Sequence, residues 1–191
     1  MASSPITKAT AEEYLALDRA AEFRSEFIDG EIIAMSGGSM RHSGMKMNLA
    51  LEVGTPLRGT HCRAFDSDLR VRVSLRMYTY PDLTVVCGKP MLADDLQDIL
   101  LNPKVIFEVL SPSTEYHDRG MKFRRYREIE SLTDYILVDQ DQARIEQFTR
   151  GDARTWTFRD YRDASEILLI ESIGVSVPIA RICEGIELSP E

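Results

Sequence analysis

The sequence predicts an α/β protein built on a mixed β-sheet, on three observations. Val105 to Leu110, VIFEVL, is a β-branched and aromatic run that is apolar on both faces, as a central strand should be. Segments of helical and strand period follow one another as helix, three strands, helix, strand, which suits a sheet covered on both faces at its centre. A hairpin signal precedes that core, and three short alternating segments follow it (ARIEQFTR, RTWTFRD and SEILLIE), read as extra C-terminal strands.

Taken in order, Thr10 with Glu13 has capping-box spacing and opens a short helix to about Ala20. SEFIDGEIIAM reads as a hairpin: Phe27 and Ile28, a turn at Asp29-Gly30, then Ile32 to Met35. Ser36-Gly37-Gly38-Ser39 breaks the strand, and Ser39 is placed to cap the helix whose stripe is Met45, Leu49, Val53 and Leu57, ending at Gly59. Cys62 to Val73 reads as one half-exposed strand, with Phe65, Leu69, Val71 and Val73 on one face and Asp66, Asp68, Arg70 and Arg72 on the other. Tyr80 to Val86 is the second strand of the core and Val105 to Leu110 the third, with Asn102-Pro103 between them. Ser111-Pro112-Ser113-Thr114 is turn and cap chemistry, and the following helix carries Asp118, Met121, Lys122, Arg125, Tyr126 and Ile129 along one side. Asp134 to Val138 is the next strand, and Glu184 to Glu191 a tail. No repeat, low-complexity block or linker interrupts the chain, so one domain over residues 1–191 is expected.

The composition, 43 % hydrophobic and 28 % charged over 191 residues, is that of a soluble globular protein with a core of useful size. No run of 18 apolar residues exists to span a membrane, and MASSPITKATAEEY lacks the form of a secretory signal, so a cytoplasmic protein is expected. The net charge of -8 argues against coating nucleic acid by electrostatics alone. It leaves room for a local basic face assisted by a bound cation. Basic residues gather at Arg119, Lys122, Arg124, Arg125 and Arg127, and again at Arg58, Arg63, Arg70, Arg72 and Arg76, where solvated faces are the alternative. Cys62, Cys87 and Cys183 are odd in number and form no C-x-x-C pair. They read as reduced, buried small hydrophobes, and with only His42, His61 and His117 in the chain no Cys/His zinc site is expected.

Glu108 stands out because it interrupts an apolar strand, where an isolated carboxylate needs a partner or a metal ion. Asp82, in YPDLTVV, opens the preceding core strand. If those strands pair, about 4.8 Å apart, the two carboxylates repel unless a cation or proton lies between them. Lys122 lies on the helix that returns from the Glu108 strand and can point back at it. Asp82, Glu108 and Lys122 together make a candidate site for metal-assisted phosphodiester hydrolysis. Taken singly, Asp82 also reads as a turn cap, Glu108 as an arginine partner, and Lys122 as a surface pair with Asp118.

Pro81-Asp82, Glu108-Val109-Leu110 and Lys122 resemble the PD-(D/E)XK nuclease signature in a shifted form, since the usual lysine two residues after the acid is here Leu110. FEVLSPST followed by Asp118, Lys122 and Tyr126 is similar to the Uma-type restriction-endonuclease-like family, as are SEFIDGEIIAMSGGSMRHSGM and DYILVD. The resemblance runs from about Thr10 to about Val177. It implies a restriction-endonuclease-like core, a Mg²⁺ or Mn²⁺ site at Asp82 and Glu108 completed by the Val109 carbonyl, and a lysine role moved to Lys122. On this reading His42, Tyr126 and Asp118 are accessory residues, Arg70, Arg72, Arg119 and Arg125 are phosphate-binding candidates, and DNA is the partner of a homodimer. The alternative is a catalytically silent nucleic-acid-binding or assembly module that keeps the nuclease fold.

Overall fold

The computed structural model describes residues 8–35, 37–112, 115–152 and 154–189. Ser36, Ser113, Thr114, residues 1–7 and the last two residues of the tail, which figure in the expectations above, lie outside the described residues.

Helix α1 (Ala11–Ala20) opens on the expected capping box: Thr10 Oγ1 accepts from Glu13 N, and Glu13 Oε2 accepts from Thr10 N at 2.8 Å. The hairpin follows as β1 (Ser25–Ile28) and β2 (Glu31–Ala34). Its turn needs two left-handed residues, and Asp29 (φ 50°) and Gly30 (φ 94°) supply them. Helix α2 (Met40–Gly54) starts at Ser39, whose hydroxyl accepts from His42 N. It buries Met45, Leu49 and Val53 as its period requires, but it ends at Gly54 rather than Gly59, just before Pro56.

Cys62 to Val73 is not one strand. It divides into β3 (Cys62–Asp66) and β4 (Arg70–Ser74), which join different sheets. Asp66 causes the break by accepting from Asp68 N at 3.0 Å through its side chain, a local turn that competes with the ladder. β5 (Met77–Thr79) then returns along β4, and Tyr80-Pro81-Asp82 leads into β6 (Leu83–Cys87). β7 (Ile99–Leu100), β8 (Val105–Leu110), β9 (Asp134–Asp139), β10 (Ile145–Arg150), β11 (Trp156–Tyr161), β12 (Ile167–Ile170) and β13 (Val175–Pro178) complete the strands. Between β8 and β9 runs a composite helix: α3 (Glu115–His117), a π-helical stretch (Asp118–Lys122) and α4 (Phe123–Tyr126). Helix α5 (Ile179–Ile182) follows β13.

The fold is thus α/β, with a central mixed sheet, an N-terminal hairpin and additional C-terminal strands. The six-stranded sheet has the order β11-β10-β9-β8-β6-β3, and only β8 and β9 run parallel in it. A five-stranded sheet, β2-β1-β5-β4-β7, and the β12-β13 pair pack beside it. β8 is buried along its whole length and alternates between two cores. Val105, Phe107 and Val109 pack on the α2 side, while Ile106 and Leu110 pack with Tyr126 and Ile129 of the composite helix side. Glu108, two residues from each of the latter, belongs to that second face.

Two further expectations change. Arg70 is 3 % exposed rather than on an open face, because Asp18 from α1 (2.6 Å) and Asp98 (3.0 Å) take its guanidinium. Cys62 and Cys87 are not reduced: the β3–β6 register sets them opposite each other and they form a disulfide, a proximity that a 25-residue separation in the chain conceals. The Glu184–Glu191 tail is also docked as far as it is described, with Ser189 N donating to Asp141 O at 2.8 Å and Ile186 and Leu188 against the core. No helix among the described residues is long and apolar enough to cross a membrane.

Candidate functional site

Two helices reach the same end of the large sheet from its opposite faces. α2 brings His42 and Lys46, and the composite helix brings Asp118 and Lys122. Between them lie the start of β6 and the end of β8, which are adjacent because β6 and β8 are antiparallel with Leu83 opposite Phe107. That register sets Asp82 beside Glu108 and Val109.

Asp82 is held on both oxygens. Its Oδ2 accepts from Val109 N at 2.8 Å, and its Oδ1 lies 3.2 Å from His42 Nε2 and 3.1 Å from Lys46 Nζ. Burial pushes this carboxyl up, but His42, Lys46 and the Val109 amide together hold it below the usual carboxylate range. Nδ1 of His42 is buried with no hydrogen-bond partner.

Glu108 is 4 % exposed, and its Oε1 accepts from Tyr126 OH at 3.0 Å and Lys122 Nζ at 3.2 Å. Tyr126 OH is in turn 2.9 Å from Thr79 Oγ1. The Lys122 ammonium also lies 3.1 Å from Glu26 Oε1 and 3.1 Å from Asp118 Oδ1. Its geometry toward Asp118 Oδ1 is that of an ion pair only, and that oxygen has no hydrogen-bond donor. Burial pushes Glu108 well above the usual carboxylate range; Lys122 opposes the rise, while Asp118, Asp82 and Glu26 add to it. Burial works in the other direction on Lys122, but the carboxylates outweigh it and raise its pKa, so the side chain keeps its proton.

Apart from Tyr126 and Thr79, which lie behind Glu108, these residues line a cleft of about 510 Å³ that also reaches Ser43, Tyr80, Ser111 and Gln140. It holds four carboxylates, Glu26, Asp82, Glu108 and Asp118, against two lysines. The surplus of oxygen ligands, with an unbonded Asp118 oxygen among them, fits a hard divalent cation, which takes carboxylate, carbonyl and water oxygens. The carboxylates do not by themselves close into a compact three-ligand cage. Among the described residues, the set of His, Cys, Asp or Glu side chains that does so is His61, Cys62 and Cys87, with ligand atoms all within 4.8 Å, and its two sulfurs are joined as the disulfide.

The structure therefore brings Asp82, Glu108, Val109, Lys122, His42, Asp118 and Tyr126 together. The arginines are placed differently. Arg70 is buried in its ion pairs, Arg119 is taken up by Glu115 and Glu146, and Arg125 pairs with Asp29 at 2.8 Å. Arg72 lines a separate surface hollow with Leu75 and Glu130. Sequence reasoning passed over Lys46, although it lies one helical turn after His42 and so on the same face. Glu26, within the hairpin, is carried by β1 to Lys122.

The model of the Uma2 family, described as "Putative restriction endonuclease", matches residues 11–180. Two proteins of Synechocystis sp. (strain PCC 6803) are similar. The uncharacterized protein slr1290 is 37 % identical over 185 residues, 96 % of each chain, and the uncharacterized protein sll1609 is 36 % identical over 148 residues, 77 % of this chain and 84 % of its own. Among solved structures, a crystal structure of a "putative nuclease belonging to DUF820" from Anabaena variabilis superposes with a TM-score of 0.75 over 91 % of this chain and 96 % of that one, at 19 % identity. The match of sequence along nearly the whole described fold, together with that shared architecture, makes this chain a member of the Uma2 family of the PD-(D/E)XK-like nuclease superfamily.

Proposed function

We propose that the protein is a divalent-metal-dependent DNA endonuclease that hydrolyses phosphodiester bonds in the cleft between α2 and the composite helix. One observation carries this reading. The lysine absent from position 110 has a spatial substitute, because Lys122 Nζ stands 3.2 Å from Glu108 on the face that a residue at 110 would share.

Asp82, Glu108 and the Val109 carbonyl are the residues that would hold Mg²⁺ or Mn²⁺. Bound there, such an ion supplies Lewis-acid polarisation of a phosphoryl oxygen and a more acidic water. Glu108 is suited to it because the crowding of Asp118, Asp82 and Glu26 makes a cation welcome beside it. Lys122, held protonated by its carboxylates, serves as a donor that positions the attacking water and offsets charge at phosphorus, rather than as a base. Tyr126 and Asp118 orient Lys122 and Glu108, and His42 and Lys46 keep Asp82 ionised and fixed. Arg72, Arg119 and Arg125 remain candidates for backbone contacts that position DNA without reading its sequence. The reading takes residues 1–191 as one domain, a cytoplasmic setting, and a homodimer to cut both strands. The nuclease description of the Anabaena variabilis protein supports the same assignment.

The test is nicking of supercoiled plasmid with Mn²⁺, with Glu108→Gln prepared identically. Nicking by the wild type, abolished by EDTA and by the substitution, is the expected result. Nicking that survives Glu108→Gln refutes the site. No nicking, with calorimetry showing that the wild type binds no Mn²⁺, favours the catalytically silent module.

A further inference from the structure

The six-stranded sheet carries a second cluster of ligand-type side chains at the far end of β6 from Asp82. Cys62 opens the edge strand β3, Cys87 closes β6, and the two face each other in register. His61 precedes Cys62, and its carbonyl accepts from Gly88 N at 2.8 Å, so the ladder continues past the cysteines and fixes the backbone on both sides of them. The imidazole and the two sulfurs lie within 4.8 Å of one another. His61 is exposed, Cys87 half-buried and Cys62 buried, so the cluster meets solvent chiefly through His61 and Cys87.

We infer that His61, Cys62 and Cys87 form a redox-gated site for a thiophilic divalent cation of the zinc class, in which metal binding and the Cys62–Cys87 disulfide exclude each other. Two thiolates and one imidazole are the ligands that such an ion selects over Mg²⁺ or Mn²⁺, and three protein ligands leave the fourth tetrahedral position to water. The ligands come preassembled on paired strands, so little chain ordering accompanies binding. In a reducing compartment the dithiol is the expected state and the metal site is open. A low-molecular-weight disulfide such as glutathione disulfide closes it. The two cysteine thiolates form the Sγ–Sγ bond and give up two electrons, the S–S bond of the reagent breaks to two thiolates, and the cation is released. In either state β3 is fastened to β6, so the exchange changes the chemistry at the sheet edge and not its pairing. This inference is independent of the nuclease reading.

The experiment uses the full chain, reduced with a phosphine and freed of metal. Co²⁺ is titrated as the spectroscopic stand-in for Zn²⁺, because thiolate-to-cobalt absorption distinguishes this cluster from carboxylates in the cleft. One equivalent with thiolate charge-transfer bands, displaced by Zn²⁺, is expected. Protein oxidised with glutathione disulfide should lose two of its three titratable thiols and the bands with them, while Cys183→Ser keeps the bands. Cys62 is buried, so its substitution can disturb folding; His61→Ala is the safer variant, since His61 is exposed, and it should weaken binding at least about tenfold. Absence of the bands in reduced wild type, their persistence after oxidation, or unchanged affinity in His61→Ala would each overturn the proposal.

Discussion

Lys122→Met tests the charge arrangement on which the candidate site depends. The ammonium lies within 3.1–3.2 Å of oxygens on Glu26, Glu108 and Asp118, and all four side chains are nearly out of solvent. Methionine keeps the unbranched stem and most of the volume, so the cost is chiefly that of leaving carboxylates without their cation, about 3–5 kcal/mol at pH 8. The pH dependence follows from Glu108. Its folded pKa is raised, so its contribution favours the fold below its unfolded value and is lost as pH rises through the folded value. Lys122 opposes that rise, and removing it lifts the Glu108 pKa further. Lys122 is itself raised, so its own contribution is intact below its unfolded value of about 10.4 and does not change across pH 5–8. The deficit of the variant should therefore be larger at pH 8 than at pH 5. Urea unfolding of EDTA-treated protein, followed by fluorescence of the single Trp156, reads it directly. With an m-value of about 1–3 kcal/mol/M, the midpoint should fall by more than about 1 M at pH 8. Adding Glu108→Gln, which removes one uncompensated charge, should restore part of the loss. A deficit that grows on acidification, or a midpoint within about 0.3 M of wild type at pH 8 with the same slope, would refute the reasoning.

Three other outcomes can be measured. Asp18 accepts from Arg70 and from Tyr80 OH at 2.6 Å each and from Ser25 N at 2.7 Å; burial raises its pKa, but these donors outweigh it and lower the value. Its contribution is thus present above the unfolded value of about 3.9 and lost as pH falls through the folded one. Asp18→Asn should cost about 3 kcal/mol in thermal unfolding at pH 7, with the gap to wild type narrowing as the pH falls below about 3.9. Tyr126→Phe removes the hydroxyl shared by Glu108 and Thr79, and an expected loss of about 1–2 kcal/mol in chemical denaturation checks that the bond is made. Thr10→Ala dismantles the capping box of α1 and should lower stability by about 1 kcal/mol, read as a shift of the circular-dichroism melting curve.

What the sequence made legible was whatever rests on local chemistry. The capping box at Thr10, the Asp29-Gly30 turn, the Ser39 cap and the double-sided burial of VIFEVL are each decided by a few neighbouring residues. The misreadings share a cause. Cys62 to Val73 alternates well enough for one strand, and only the Asp66 side-chain bond to Asp68 N shows why it breaks. Arg70 has the period of an exposed position, but α1 lays Asp18 over it. The Cys62–Cys87 pair depends on which strand lies beside β3, and nothing near either cysteine in the chain specifies that. In the cleft, Glu108 stands out because an acid in apolar sequence is anomalous by itself, and Asp82 because it opens the neighbouring core strand, whereas Lys46 and Glu26 are ordinary surface types until the fold brings them in.

The placement of Lys122 follows from the same sheet that buries Glu108. A lysine at 110 would lie on the Glu108 face, but there Leu110 packs against Tyr126, Ile129 and the rest of the second core. The composite helix covers that face and must return over the strand it leaves. Its π-helical stretch, Asp118–Lys122, widens the turn at the point where Asp118 and Lys122 both have to face the sheet. The apolar core thereby extends to the last residue of β8, and the cation enters from the helix above it. A strand lysine would instead have to be accommodated among those apolar side chains, where an unpaired charge is costly. The price of the helix solution is the crowding of acids around one ammonium, and on the proposed function that crowding is also what a divalent ion would relieve.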